Sequence, residues 1–230
     1  MVAEDVMALT FSVDGWQQHR AGQHYDIRLT APSGYQAERS YSVASPPEQK
    51  GVVEFGVQLL QSGEVSPYLF ALKPGEQVEL RGPIGGHFIW DVSMKSPLVL
   101  IGGGSGMVPL MSMIRHHLKN IDRDKEREII FLISARTLGH VLYKEELEKI
   151  VKENPHVKIV QTLTDARPEG WNGYKRRIDA GMFKEVLGSL LLKMPCIYIC
   201  GPTKFVEVAA NLCVEMGENS HSIHTERFGG

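Results

Sequence analysis

Near residue 92 the chain changes its hydrophobic rhythm, and no single regular architecture accommodates both sides of that change. Before it, apolar and polar residues alternate: Met7, Leu9, Phe11 and Val13, then Tyr25, Ile27 and Leu29, then Val53, Phe55, Val57 and Leu59. A period of two marks strands with one buried face. Turn formers separate the runs, among them Asp14-Gly15, Ser33-Gly34, Pro46-Pro47, Pro74-Gly75 and Gly82-Pro83. Short strands at this spacing predict a small antiparallel β-barrel over residues 1–92, with one short helix after Ser66.

Beyond the polar stretch 91–97, read as a linker, Leu98-Val99-Leu100-Ile101 is a continuous apolar run of the kind buried on both faces of a parallel sheet. Leu110, Met111, Ile114, Leu118 and Ile121 then share one helical face. Strand and helix patterns alternate from there: 129–133, 143–151, 157–163, 179–191, 197–200, 205–216 and 222–226. The order predicts an α/β doubly wound parallel sheet over residues 97–230, whose ligands bind beyond the carboxyl ends of the strands.

Composition removes several functions. With 25 Lys+Arg against 27 Asp+Glu, the chain lacks the basic footprint of a nucleic-acid binder. No apolar run approaches the ~20 residues of a membrane span. Three cysteines, Cys196, Cys200 and Cys213, exclude a multi-disulfide framework and point to a reducing compartment. They also fall short of the ~4 thiolates of an ordinary iron–sulfur cluster. The opening residues are acidic and carry no basic signal-peptide region, so a cytoplasmic location is expected. No histidine spacing resembles a zinc motif, and no metal is expected.

Four segments carry chemistry. Arg39-Ser40-Tyr41-Ser42 places a guanidinium near a flat phenol, which suits a ligand with both a phosphate and an aromatic ring. As a bare pattern it fits an exposed strand better. Gly63-Glu64-Val65-Ser66 precedes Pro67 and an apolar helix, so Ser66 is expected as N-cap, at a terminus that favours an anion. A plain capped helix is the alternative. Gly102-Gly103-Gly104-Ser105-Gly106 follows a buried strand and opens a helix, the place of a nucleotide loop. It lacks both the G-x-G-x-x-G and the P-loop patterns. Cys200-Gly201-Pro202 ends a central strand, with its thiol expected to face the same crevice.

In this order, and with Gly82-Pro-Ile-Gly-Gly-His-Phe88 and the terminal Thr225-Glu226-Arg227-Phe228, these motifs resemble the ferredoxin–NADP reductase superfamily in its single-chain bacterial form. The resemblance runs over nearly the whole chain. It implies FAD between the halves: Arg39 and Ser40 toward its pyrophosphate, Tyr41 on the isoalloxazine, Ser42 near flavin N5, and Gly63, Val65 and Ser66 on the phosphates. It implies a nicotinamide nucleotide against Gly104, Ser105, Gly106 and Pro109, with Cys200, Gly201 and Pro202 near the reacting carbon and Glu226 and Phe228 approaching the flavin. Ser42, Cys200 and Glu226 are then the expected catalytic residues.

The family's first barrel strand precedes a segment like 5–11, so the barrel is expected to be one strand short. Ser134 and Arg136 stand at the end of the second α/β strand with no acid for a free ribose 2′-OH, and Arg167, Arg176 and Arg177 add cations nearby. NADPH is therefore expected, with NADH as the alternative. The resemblance implies electrons passed to a one-electron acceptor on a separate chain, such as a ferredoxin or another iron–sulfur protein. A flavin reductase releasing free reduced flavin, and a non-catalytic flavin- or nucleotide-binding regulatory module, are the other readings.

Overall fold

A computed structural model describes residues 1–228; residues 229–230, the tail of the expected second half, lie outside the described residues. The first half contains β1 (Val6–Ser12), β2 (His24–Thr30), β3 (Gln36–Ser42), β4 (Val52–Gln58), α1 (Val65–Ala71) and β5 (Glu79–Ile84). All its strand pairs are antiparallel: β1 with β4, and β2 between β3 and β5. The alternating apolar residues Tyr25, Ile27, Val53, Phe55 and Val57 point inward and share one core with Leu69 of α1. Burying such side chains stabilises by about 1.5–3 kcal/mol each. A bridge between Val43 and Phe55 links the two sheets. Among the described residues, β1 has β4 on one edge and no named strand on the other.

One local expectation is corrected. Helix α1 starts at Val65 with Glu64 at the N-cap position, and no side chain caps it. Ser66 already lies inside the helix, and its hydroxyl turns back to accept from the Leu60 N–H at 3.0 Å. It ties the preceding loop down instead of capping.

The second half runs β6 (Leu98–Gly103), a 3₁₀ turn (Gly104–Gly106), α2 (Met107–Lys119), α3 (Ile121–Asp124), β7 (Ile129–Ala135) and a second 3₁₀ turn (Leu138–His140). It continues with α4 (Lys144–Glu153), β8 (Val157–Leu163), α5 (Ala180–Leu191), β9 (Cys196–Pro202), α6 (Thr203–Glu215), a 3₁₀ turn (Ser220–Ser222) and β10 (Ile223–Phe228). The sheet order is β10-β9-β6-β7-β8, and every pair is parallel.

Central β6 explains its own sequence. Leu98 and Leu100 enter the core with Leu110, Met111 and Ile114 of α2. Val99 and Ile101 enter the core on the other face with Phe183 and Leu187 of α5 and Val206 of α6. A strand covered on both faces has no polar position left. Helix α5 starts one residue later than expected, because Asp179 caps it: its carboxylate accepts from Met182 N–H at 2.8 Å, a contact worth about 1 kcal/mol. The chain leaves β6 toward β7 and β8, then returns to β9 and β10 on the other side. The carboxyl ends of β6 and β9 therefore flank the point where the winding reverses, the place where such sheets open a crevice.

The halves meet along a polar seam. Arg115 of α2 donates to both carboxylate oxygens of Glu146 (2.7 and 2.6 Å), to Glu54 of β4 (2.8 Å) and to the Ala44 carbonyl (2.9 Å). Ser112 donates to the Ser45 carbonyl at 2.7 Å, and His116 meets Glu48 at 2.7 Å. Residues 91–97 are held by Arg127, which donates to the Val92 and Ser96 carbonyls.

Candidate active site

Two cavities adjoin in the crevice. One, of about 510 Å³, lies between the ends of β3 and β4, the start of α1 and the end of β10. Its lining takes in Arg39, Ser40, Tyr41, Ser42, Gly63, Val65, Ser66 and Phe228, every flavin-side residue the sequence singled out apart from Glu226. The other, of about 670 Å³, opens beyond β6 and β7 and is lined by Gly104, Ser105, Ser134, Arg136, Arg177 and Pro202 among others. Gln58, Ser105 and Pro202 line both.

In the first cavity, Ser42 is 5 % exposed and its Oγ has no hydrogen-bond partner. A buried hydroxyl left this way costs about 1–3 kcal/mol, and a ligand atom facing it would remove that penalty. Burial pushes the Tyr41 hydroxyl up to about 12, so it is neutral. Ser40 lines the cavity, but its hydroxyl is committed to Asp26 at 2.6 Å. The Arg39 guanidinium is open to solvent, donates to the Glu38 carbonyl at 2.7 Å, and lies 3.9 Å from Glu64.

Glu226 is the most perturbed carboxyl here. Burial raises it from the usual carboxylate range to about 7. One oxygen has no partner, and the other lies 3.7 Å from Nδ1 of His24, itself shifted down by burial. His24 is the direct cross-strand partner of Ser42.

Cys200 departs from its expected exposure. It is the register partner of Glu226 on β9, is fully buried, and lines neither cavity. Burial first, and then the neighbouring Glu226, raise its thiol well above the ordinary value. Gly106 packs on its backbone: a Cβ there would lie 2.2 Å from the Cys200 carbonyl oxygen, so the turn after β6 rests directly on the end of β9. Gly106, Pro109 and Gly201 are buried with it and likewise line neither cavity. They form the floor. Gly104 differs, with φ of +56° and open space where a side chain would be.

Of the arginines near the second cavity, Arg136 and Arg177 line it. Arg176 is paired with Asp179, and Arg167 donates to the Lys175 carbonyl. His24, Gln58, His140 and Lys204 were not legible as site residues. His24 meets Glu226 from far away in sequence, while His140 and Lys204 lie within four residues of Arg136 and Pro202, where no motif marks them.

The donor sets fit two cofactors. A cavity with a guanidinium, a neutral phenol, an aromatic ring and an orphan hydroxyl suits a flavin with its phosphates. A glycine turn at the switch point beside Arg136, Arg177 and Lys204 suits a dinucleotide. Among the described residues no helix is long and apolar enough to cross a membrane.

Comparison with known proteins agrees. Residues 1–89 match the oxidoreductase FAD-binding domain, and residues 100–211 match the oxidoreductase NAD-binding domain. The chain is 33% identical over 202 residues to a subunit of the Na⁺-translocating NADH-quinone reductase of Pseudomonas aeruginosa, covering 84% of this chain and 49% of that protein. It spans about half the length of the curated relatives it matches. The fold superposes on the FAD/NAD-binding domain of the nitric oxide dioxygenase of Vibrio cholerae with a TM-score of 0.85, at 19% identity over 100% of this chain and 95% of that one. A ferredoxin–NADP⁺ reductase of Neisseria gonorrhoeae superposes with a TM-score of 0.79, at 18% identity over 97% and 92% of the two chains. With both domain matches in sequence order and the two cavities meeting between the halves they cover, the chain belongs to the ferredoxin–NADP reductase superfamily of FAD-dependent NAD(P)H oxidoreductases.

Proposed function

We propose that this chain accepts hydride from a nicotinamide dinucleotide onto FAD and passes the electrons to a redox protein on a separate chain. The observation that carries the reading is the shared lining: Gln58, Ser105 and Pro202 belong to both cavities, so ligands filling the two would meet there. Bound flavin supplies the conversion from a hydride donor to single-electron carriers.

The protein's own work is positioning. Arg39 and the Gly63–Ser66 segment would hold the flavin phosphates, and Tyr41 and Phe228 would flank the ring. Ser42 would direct its hydroxyl to the hydride-accepting edge. Cys200 and Glu226 would act from the buried side: Cys200 as floor, Glu226 as a carboxyl poised near neutrality that can hold a proton. Reacting atoms must come within roughly 3–3.5 Å, which requires a dry, rigid crevice.

For the nucleotide, the lining supports NADPH. Arg136 and Arg177 line the wall where the adenosine ribose would lie, and Asp5 is the one carboxylate among the described residues of that wall. The NADH in the names of the curated relatives supports the other choice. Those names describe one subunit of a larger enzyme, which supports an acceptor met within an assembly over a freely diffusing ferredoxin.

The test is anaerobic rapid mixing of FAD-loaded protein with NADPH and with NADH, followed by a one-electron acceptor such as ferricyanide. Flavin bleaching by either nucleotide and its reoxidation by the acceptor are expected. A protein that never retains FAD through gel filtration, or that is not bleached, overturns the reading. Turnover with loss of the flavin from the protein would identify a flavin reductase instead.

A further inference from the structure

In the wall of the second cavity, Arg136 is not a free surface cation. Its Nη2 lies 2.8 Å from Nε2 of His140, and Nδ1 of His140 lies 2.7 Å from Oγ1 of Thr137. A guanidinium can only donate, so Nε2 of His140 must present its lone pair and Nδ1 must carry the proton. The ring is therefore neutral in this arrangement, and Arg136 fixes its tautomer. His140 is itself held: Glu4 of the first half lies 3.6 Å from Nδ1, and Glu4 N–H donates to the Gly139 carbonyl at 2.9 Å. The fit at that contact is close, since a Cβ on Gly139 would lie 1.9 Å from the Glu4 carboxylate.

We propose that His140 is a positioning residue for nucleotide choice, holding Arg136 in the cavity wall to read a phosphate on the adenosine ribose. This deepens the reading above and rests on it. A long cation on an exposed strand end loses much of its binding contribution to side-chain disorder. Thr137 and His140 remove that disorder before the ligand arrives. The other charged groups facing this wall are Asp5, Arg177 and Lys204.

The experiment measures kcat/KM for NADPH and NADH in FAD-loaded protein carrying His140→Ala, His140→Gln, Arg136→Ala and the double change. His140→Ala should lower kcat/KM for NADPH by about three- to tenfold through KM, and that for NADH by distinctly less. His140→Gln should restore most of it, because the amide oxygen can accept from Arg136 while the amide nitrogen donates to Thr137. Adding His140→Ala to Arg136→Ala should cause no further loss. If Arg136→Ala leaves the NADPH-to-NADH ratio unchanged, the nucleotide reading itself fails. If Arg136→Ala lowers the ratio but His140→Ala does not, or if the two losses simply add, the proposed role of His140 is overturned alone.

Discussion

The carboxylate of Glu226 stands 3.7 Å from Nδ1 of His24, joining the last strand of the parallel sheet to the second strand of the antiparallel half. Both groups are displaced by burial in the direction that favours the neutral form: the acid upward to about 7, the imidazole downward. The imidazole is thus held toward its neutral form while the carboxyl is poised at mid-titration near neutral pH, so the contact is not a fixed salt bridge.

A consequence follows for stability. Unfolded, Glu226 titrates near 4.5; folded, near 7. The folded state therefore binds the extra proton, and Glu226 carries no penalty below about pH 4.5. The penalty grows as pH rises to about 7 and is complete above it, at about 3 kcal/mol. Flavin-free Glu226→Gln should be more stable than the parent protein at pH 8, with the difference vanishing near pH 4.5. Thermal unfolding across that range measures it.

Ser42 should separate chemistry from folding. Its orphan Oγ gives the flavin-free protein nothing to lose, so Ser42→Ala should unfold at the same denaturant concentration or slightly higher. Flavin reduction in rapid mixing should slow by roughly 10²-fold while FAD affinity changes little. Equal reduction rates would remove Ser42 from the reaction.

The two glycines of the β6 turn should respond differently to alanine. At Gly104 the new methyl group meets open space and only the positive φ is strained, at about 1–2 kcal/mol. At Gly106 it meets backbone of Cys200 and Gly201, and a shift of the β9 end is unavoidable. Gly106→Ala should cost at least about 3 kcal/mol in urea unfolding, and Gly104→Ala distinctly less.

Arg115 should be the most sensitive point of the seam. Arg115→Met would leave Glu54 and Glu146 without their shared cation in a site where the arginine side chain is 15% exposed. The expected loss is about 3–5 kcal/mol, read by denaturant titration. Glu54→Gln in the same background should return part of it, by removing one stranded charge.

The two-part fold was legible because its signals are local. Alternation at 53–59 and the unbroken apolar run of β6 each report how many faces of a strand are covered. The cavity-lining residues that could be seen, such as Arg39 and Ser105, sit in short contiguous motifs. What was hidden depends on tertiary approach. The burial of Cys200 was set by its place in a core built from distant elements. The role of Ser66 was set by a loop bending back to Leu60. His24 meets Glu226 from the opposite end of the chain, a pairing no window of residues could reveal.

The polar seam also limits how such a protein can be inherited. Arg115, Ser112 and His116 on one half are matched to Glu54, Ala44, Ser45 and Glu48 on the other. A gene fusion that exchanged the front half at residues 91–97 for one without carboxylates at positions 48 and 54 would leave His116 without its partner and Arg115 with Glu146 alone. The two halves are modules in architecture but joined by matched charges, and successful chimaeras should be those that transplant the carboxylates together with the strand that carries them.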